Sequence, residues 1–419
     1  MKEKIYHGRI FYGWYILAAA FIIMAVGWGI TFNTASLFIK PISEELGLSR
    51  KAINMTFTIR SLCQLIISLF AGVIYTKFKI KSLMKVTSIT LALSFFFHAF
   101  VEGKGLLYFL TVTSSVSMVL LGTLPLSIIL NNWFNERIGF VIGLAFMGSG
   151  LGGMILGFLT GQWIIAYGWR MTYKILAIIT FVAIAPCVYF IIKIDPKEVG
   201  LAPLGKSRNI DPGDYSKLDN EEGMMLSEAM KTIRFWGLCI GSLIFSISGL
   251  TLFNSISPHL TDVGYSIAFS ANIVALYMGA LAIGKFLLGY LLDRFGLRKT
   301  TFISCFAILF GCISILYSKY YIALAVLIVG TGIGCSYFTV AYPVIAKNIY
   351  GKKDYSSIYG FISAVHSLGG IIAPIVNGYL YDMTGSYNTS FKTMVIVSII
   401  SIIIFNFVLP KETIKQVEL

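Results

Sequence analysis

Twelve stretches of about 20 apolar residues decide most of what this chain can become. They fall at roughly 12–33, 52–75, 83–101, 105–131, 138–166, 171–192, 234–259, 267–291, 300–318, 320–346, 356–381 and 391–409. Lipid offers no water to backbone N–H and C=O groups, so a segment that crosses it closes its hydrogen bonds within itself, as a helix. Only 12% of the 419 residues are charged, against 57% hydrophobic, and mean hydropathy is +0.81. That is too little charge to cover a water-soluble body of this size. The predicted fold class is an all-α membrane protein of twelve transmembrane helices. The basic start, MKEKIYHGRIFYGWY, leads into the first stretch without a small-residue cleavage site, so we read a retained first helix.

A net charge of +14 would point to nucleic acid in a soluble chain, but threading the membrane removes that reading. With the N-terminus in the cytoplasm, 23 of the 33 Lys and Arg lie on the cytoplasmic side, 8 outside, and 2 (Arg60 and Lys285) within the apolar stretches. This positive-inside bias predicts a multi-pass protein of the cell (plasma or inner) membrane with both termini cytoplasmic. The surplus charge attracts anionic lipid heads, and no nucleic-acid partner is expected. All six cysteines lie in apolar stretches and form no CxxC pair, so they read as small buried hydrophobes. No metal-spaced cluster, nucleophile elbow or GxxxxGK[ST] loop occurs. Neither metal, cofactor, ATP nor catalysis is expected.

The chain repeats itself. GYLLDRFGLRK (Gly289–Lys299) echoes GVIYTKFKIKS (Gly72–Ser82), at an offset of 217 residues. GLAFMGSGLGG (Gly143–Gly153) and GFISAVHSLGG (Gly360–Gly370) line up at the same offset of 217. The helices thus form two parallel-repeat bundles of six, related about an axis along the membrane normal. The division expected is an N-terminal bundle over 1–193, a cytoplasmic linker over 194–232 and a C-terminal bundle over 233–419. The linker is rich in Pro, Gly and charge. Its end, MLSEAMKTIRFW, fits an amphipathic helix on the inner membrane face.

GYLLDRFGLRK resembles the G-x-x-x-D-R-x-G-x-R-K loop of the major facilitator superfamily, and the resemblance covers nearly the whole chain. More narrowly, FYGWYILAAAF, LFIKPISEELGLSR, NNWFNERIGFVIGLAFMGSGLGG, PHLTDVG and NGYLYDMTGSY resemble the oxalate/formate antiporter and monocarboxylate transporter families. In the superfamily the loop acid faces the positive N-terminus of a helix in the other half and closes the cytoplasmic side. The resemblance gives that role to Asp293, facing the start of the fifth helix near Arg137. Asp293 ends a helix, where the dipole disfavours an acid, and Arg294, Arg298 and Lys299 stand close enough to offset that. The first copy has Thr76 in place of the acid. Either Lys77, Lys79 and Lys81 meet Asp354 at the start of the eleventh helix, the acid having crossed the interface, or one latch suffices.

An ionisable residue at membrane depth is costly and usually faces a cavity. Lys285 lies ~12 Å from the cytoplasmic end of its helix, near the midplane where substrate sites of such carriers sit. In the oxalate/formate family this place usually carries the arginine that pairs with substrate carboxylate; a lysine lacks the bidentate fork. The alternative is a lysine snorkelling to the interface. His366 lies ~16 Å into its helix, where some of those antiporters carry a second cation. It otherwise reads as a neutral ring bonded to Ser363 or Ser367. Arg60 falls opposite Tyr277 in the repeat, and Tyr277 shares a helix face with Lys285, so Arg60 is placed at the cavity too. The alternative is an external-side charge. His98 reads as structural. Tyr359 shares the face of His366. Tyr337, Phe338, Asn33 and Thr34 sit where the resemblance places cavity residues, with helix packing as the alternative.

Central cations without a central acid predict a small organic anion as substrate. The expected function is secondary active transport of a mono- or dicarboxylate such as lactate, pyruvate, formate or oxalate, by alternating access. The carrier is expected to act as a monomer in the lipid bilayer. Coupling is either anion exchange or proton symport through His366, whose unperturbed pKa of ~6.5 suits proton cycling. The rivals are an exporter of drugs or other organic solutes, which normally needs an intramembrane acid, and a non-transporting membrane sensor.

Overall fold

The computed structural model describes residues 11–205 and 223–410. Among them the fold is helical without strands. Helix α1 is Gly13–Ile23, running on as a wider π-turn over Met24–Asn33. Helix α2 is Arg50–Leu69 continued by Ala71–Lys77 across a sharp bend, α3 is Ile80–His98, and α4 is Lys104–Leu121 continued by Thr123–Trp133. Helices α5 (138–167) and α6 (169–186) are the two arms of one element, Ile138–Pro186, broken at Gly168. Helix α7 is Ile233–Asp262. Helices α8 (267–295) and α9 (297–314) are the arms of Ile267–Ser314, broken at Gly296. Helices α10 (Tyr321–Tyr350), α11 (Tyr355–Thr384) and α12 (Tyr387–Val408) complete the fold. Among the described residues nine elements are long and apolar enough to cross a membrane, and the bent α2 makes a tenth. Two of the nine hold two spans each, so the count is twelve.

The two merged elements have a local cause. Gly168 (φ 77°) and Gly296 (φ 76°) hold a backbone region that side chains avoid, so the chain reverses at a single residue. The repeat offset carries Gly168 onto Gly385, the turn between α11 and α12, where φ is again positive at 65°.

Close helix crossings join the halves. A methyl group on Gly143 (α5) would lie 2.5 Å from the Lys285 carbonyl oxygen (α8), and one on Gly139 would lie 2.6 Å from the Gly289 carbonyl. On the other side of the pseudo-axis, Gly360 (α11) meets the Ser68 carbonyl (α2), and Gly72 meets Ser357. Residues 143 and 360, and 285 and 68, are each 217 apart, so one crossing is built twice. Within the first half, Gly148 and Gly152 of α5 press on the Phe21 and Ala25 carbonyls of α1. Small residues permit such approach where lipid supplies no hydrophobic drive between helices.

The end of the bundle where the linker joins is laced to it. Leu204 pairs with Phe134, through Leu204 N–H on the Trp133 carbonyl and Asn135 N–H on the Leu204 carbonyl, both at 2.9 Å. Gly223 pairs with Gly351, and Met224 N–H donates to the Tyr350 carbonyl at 2.8 Å. Phe134 and Gly351 are again 217 apart. Residues 206–222 of the expected linker lie outside the described residues. The amphipathic helix expected over MLSEAMKTIRFW is instead one helical turn, Leu226–Ala229, followed by a break at Thr232, which caps α7. The Thr232 side chain accepts the Phe235 N–H at 3.3 Å, and this cap starts the new helix.

The same substitution has opposite signs at two glycines of α5. Gly143→Ala forces α5 and α8 apart and lowers stability by ~1–3 kcal/mol, the usual cost of overpacking. Gly161→Ala meets nothing within 4 Å and gains from helix propensity. Thermal denaturation of the two variants in detergent checks both signs.

Candidate functional site

The crossing of α5 and α8 holds a polar chain at its centre. Lys285 is 3% exposed, and its ammonium donates to the Ser149 hydroxyl at 2.5 Å. Ser149 donates in turn to the Phe146 carbonyl at 2.9 Å. The Ser149 carbonyl accepts from the Asn33 side-chain amide, also at 2.9 Å. Three helices, α1, α5 and α8, thus meet at one serine. Asn33 reaches it from the last residue of the π-turn, with Gly153 leaving room beside its amide. Tyr277, two turns before Lys285, is buried edge-on to Phe253, and the Cys335 thiol of α10 stands near both Tyr277 and Lys285. Among the described residues no carboxylate acts on Lys285. A buried ammonium keeps two further donors that a serine does not serve, and an anion would complete it.

The other predicted residues lie among neighbours of their own. His366 of α11 stacks on Phe338 at 4.5 Å and meets the edge of Tyr342 at 5.9 Å. Its Nδ1 is sealed without a partner. Tyr359, one turn along from Tyr355 at 5.8 Å, lies beside Ser363 and beside Thr123 of the other half. Tyr337, expected at the cavity, instead packs within the second half. Its hydroxyl bonds Thr301 of α9 at 3.0 Å, and its ring lies against Phe245, Tyr342 and Phe405. Thr34 bonds the Ile30 carbonyl of its own helix and is fully buried. For these two, helix packing is the reading the contacts give. Arg60 is 8% exposed and lies over Phe57, with Tyr173 of α6 nearby. Lys285, His366 and Arg60 therefore have separate sets of neighbours.

Asp293 ends α8 at the linker end and crosses to the start of α5. Its two carboxylate oxygens accept the backbone N–H groups of Gly139 at 2.9 Å and Phe140 at 2.7 Å. These donors have no partner inside α5, and the helix dipole adds to the attraction. Arg137 turns the chain into α5 with φ 52°, a left-handed conformation rare outside glycine. Arg137 and Lys347 bring positive charge near the carboxylate. Around this contact Tyr355 bonds Ser127 at 3.1 Å, and Lys352 bonds Asn135 at 3.3 Å.

The remaining charges of the loop serve their own half. Arg298 does not offset Asp293: it binds the Asn406 side chain at 2.7 Å and the Asn406 and Leu409 carbonyls, capping the end of α12. Arg294 turns to the Tyr290 hydroxyl at 2.7 Å, and Lys299 is exposed. Nor does Asp354 meet Lys77, Lys79 or Lys81. Its carboxylate accepts the Leu226 N–H at 2.9 Å, holding the returning linker, while Lys81 pairs with Glu198 at 3.8 Å. Both acceptors follow the rule that a carboxylate goes to the nearest unpaired donors, here at the start of a short helical turn.

Sequence reasoning missed Ser149 and Cys335. Ser149 was within reach: it stands 217 residues before His366, so the repeat places the two in equivalent positions. Cys335 carried no signal that separated it from the five other apolar cysteines.

Twelve helices in two repeated bundles, with a buried cation at their interface, define a polytopic carrier-type membrane protein. The sequence profile described as Major Facilitator Superfamily matches residues 16–253 and 238–418, and the chain belongs to that family. It is 25% identical over 280 residues to monocarboxylate transporter 12-B of Danio rerio, covering 62% of this chain and 58% of that protein. It is also 25% identical over 375 residues to the hexuronate transporter of Bacillus subtilis, covering 84% of each. The E. coli fucose:proton symporter FucP superposes with a TM-score of 0.69 at 16% identity, over 94% of this chain and 98% of that one. FucP in its outward conformation gives a TM-score of 0.71 at 15% identity.

Asp293→Asn keeps the shape of the carboxylate but loses its charge and one of its two acceptors. The contact with α5 weakens by ~1 kcal/mol, the usual worth of a helix N-cap. A cysteine placed at Ser127 then reacts about fivefold faster with a membrane-impermeant maleimide, by the Boltzmann factor for that energy.

Proposed function

We propose that the chain is a secondary transporter of a small organic anion, a mono- or dicarboxylate, working by alternating access. The carrying observation is Lys285: a buried ammonium at the crossing of the two halves, served by one serine and, among the described residues, by no carboxylate. An anion that binds there touches α8 directly and α5 and α1 through Ser149, so its occupancy bears on how the halves fit together. The names of the relatives, a monocarboxylate transporter and a hexuronate transporter, both denote carriers of acids and support this class.

In this reading the halves, residues 1–193 and 233–419, rock about the central site, joined by the linker 194–232. The positive-inside bias places the linker end in the cytoplasm. Asp293 on the α5 N-terminus, with Arg137 behind it, then closes the cytoplasmic side. Likeness in fold to FucP in an outward conformation agrees with that closed end. Arg294, Arg298 and Lys299 shape the loop without joining the latch.

Two couplings follow from the contacts. Lys285 without an anion is an unpaired buried charge at the very crossing that must slide, which favours exchange: the empty carrier reorients slowly. His366 lies against Phe338 and Tyr342 rather than Lys285, which also favours exchange. Its sealed, unpartnered Nδ1 keeps proton symport as the second reading.

Reconstitution in liposomes tests both. Uptake of labelled formate, oxalate, lactate and pyruvate should appear with internal anion present, and Lys285→Ala should reduce it by at least ~100-fold, the equivalent of ~2.7 kcal/mol of lost charge pairing. Undiminished uptake by that variant would falsify the assignment. Uptake into anion-free liposomes under an inward proton gradient, removed by His366→Gln, would replace exchange with symport.

A further inference from the structure

Among the described residues Arg60 has no partner that fits its charge. Two of its three guanidinium nitrogens, Nε and Nη1, are sealed from solvent without an acceptor. What surrounds it is aromatic. The guanidinium carbon lies 5.5 Å from the Phe57 ring centre. Tyr173 stands nearby, 6% exposed and stacked between Phe38 at 4.1 Å and His98 at 4.9 Å. His98 spends its Nδ1 on the Ser94 carbonyl at 2.7 Å, and a carbonyl only accepts, so that nitrogen is the donor. The acids at this end of the half are engaged elsewhere or face solvent: Glu45 accepts from Trp169 at 2.5 Å and from Arg170 at 2.7 Å, Glu44 pairs with Lys40 at 3.8 Å, and Glu102 is exposed. Among the described residues no carboxylate acts on Arg60.

A lysine or histidine in such a place can shed its proton, but an arginine stays charged. The cost of a buried unpaired charge is then permanent unless something supplies the counter-charge. We infer that Arg60 is the base of a second anion site within the first half, one that takes a small planar monocarboxylate of formate or acetate size. The guanidinium fork matches a carboxylate, and the ring walls of Phe57 and Tyr173 suit a ligand with little else to solvate. The site is separate from Lys285. The residue equivalent to Lys285 is Ser68, and Arg60 stands two turns, ~12 Å, from it along α2 toward the end remote from the linker. An anion entering from that end reaches Arg60 before Lys285.

Binding can be read without transport, so this site and the Lys285 reading fail separately. The full chain is purified in detergent with a bulky sulfonate as the sole anion, and its Tm is followed as formate is added. Ligand that binds only the folded state raises Tm with the logarithm of its concentration above Kd. Wild type should show this rise, Lys285→Gln should keep at least half of it, and adding Arg60→Gln or Arg60→Met to Lys285→Gln should abolish what remains. In sulfonate alone both Arg60 variants should melt at or above wild type, because each removes an unpaired buried charge. Variants that melt well below wild type in sulfonate would make Arg60 a structural residue and overturn the proposal. A formate-dependent rise that persists in the variants lacking both Lys285 and Arg60 would also overturn it. Chloride that raises Tm as far as formate does, and through Arg60, would overturn the carboxylate class.

Discussion

The place where α5 crosses α8 governs the rest of the molecule. There the Lys285 carbonyl abuts Gly143, and the Lys285 ammonium reaches Ser149 less than two turns further along α5. One residue thus contributes both to how close the helices come and to what charge lies between them. The backbone approach needs glycine; the charge needs a polar neighbour; α5 supplies both from GLAFMGSGLGG. Moving the helices apart by an ångström would open the contact and lengthen the Lys285 hydrogen bond together, so shape and electrostatics are not independent here.

Much of this was legible in the sequence because lipid permits so few solutions. Twelve apolar stretches had to be helices, and a repeated phrase at constant offset had to be a repeated structure. The offset also anticipates contacts, since the Gly143–Lys285 and Gly360–Ser68 crossings are one crossing written twice. Side-chain direction was less legible. Tyr337 and Phe338 are neighbours in sequence, yet the first turns to Thr301 in α9 and the second to His366 in α11. In a helix hydrophobic all round, no polar face announces which side meets which neighbour. The partners of loop charges were hidden for a different reason. Arg298 and Asp354 found unpaired backbone groups at helix ends, and those ends are fixed only by tertiary packing.

The two halves keep the same frame and spend it differently. At the second loop an acid crosses to the opposing helix; at the first, Thr76 turns back to the Val73 carbonyl of its own helix. The start of α11, where the mirrored acid would have pointed, carries Asp354, which holds the linker. Symmetry therefore survives in backbone contacts, which need only small residues, and is lost in charges, where, among the described residues, a single carboxylate contact joins the two halves.

The single-residue reversals at Gly168 and Gly296 bear on how descendants of this chain can vary. A loop of several residues absorbs insertions, because extra chain can bulge into water at small entropic cost. A reversal made by one glycine with φ near 77° has no such slack, since an added residue would turn the second arm away from the neighbours it packs against. Length changes are thereby channelled to the other connections, and the α5–α6 and α8–α9 pairs are inherited as indivisible hairpins.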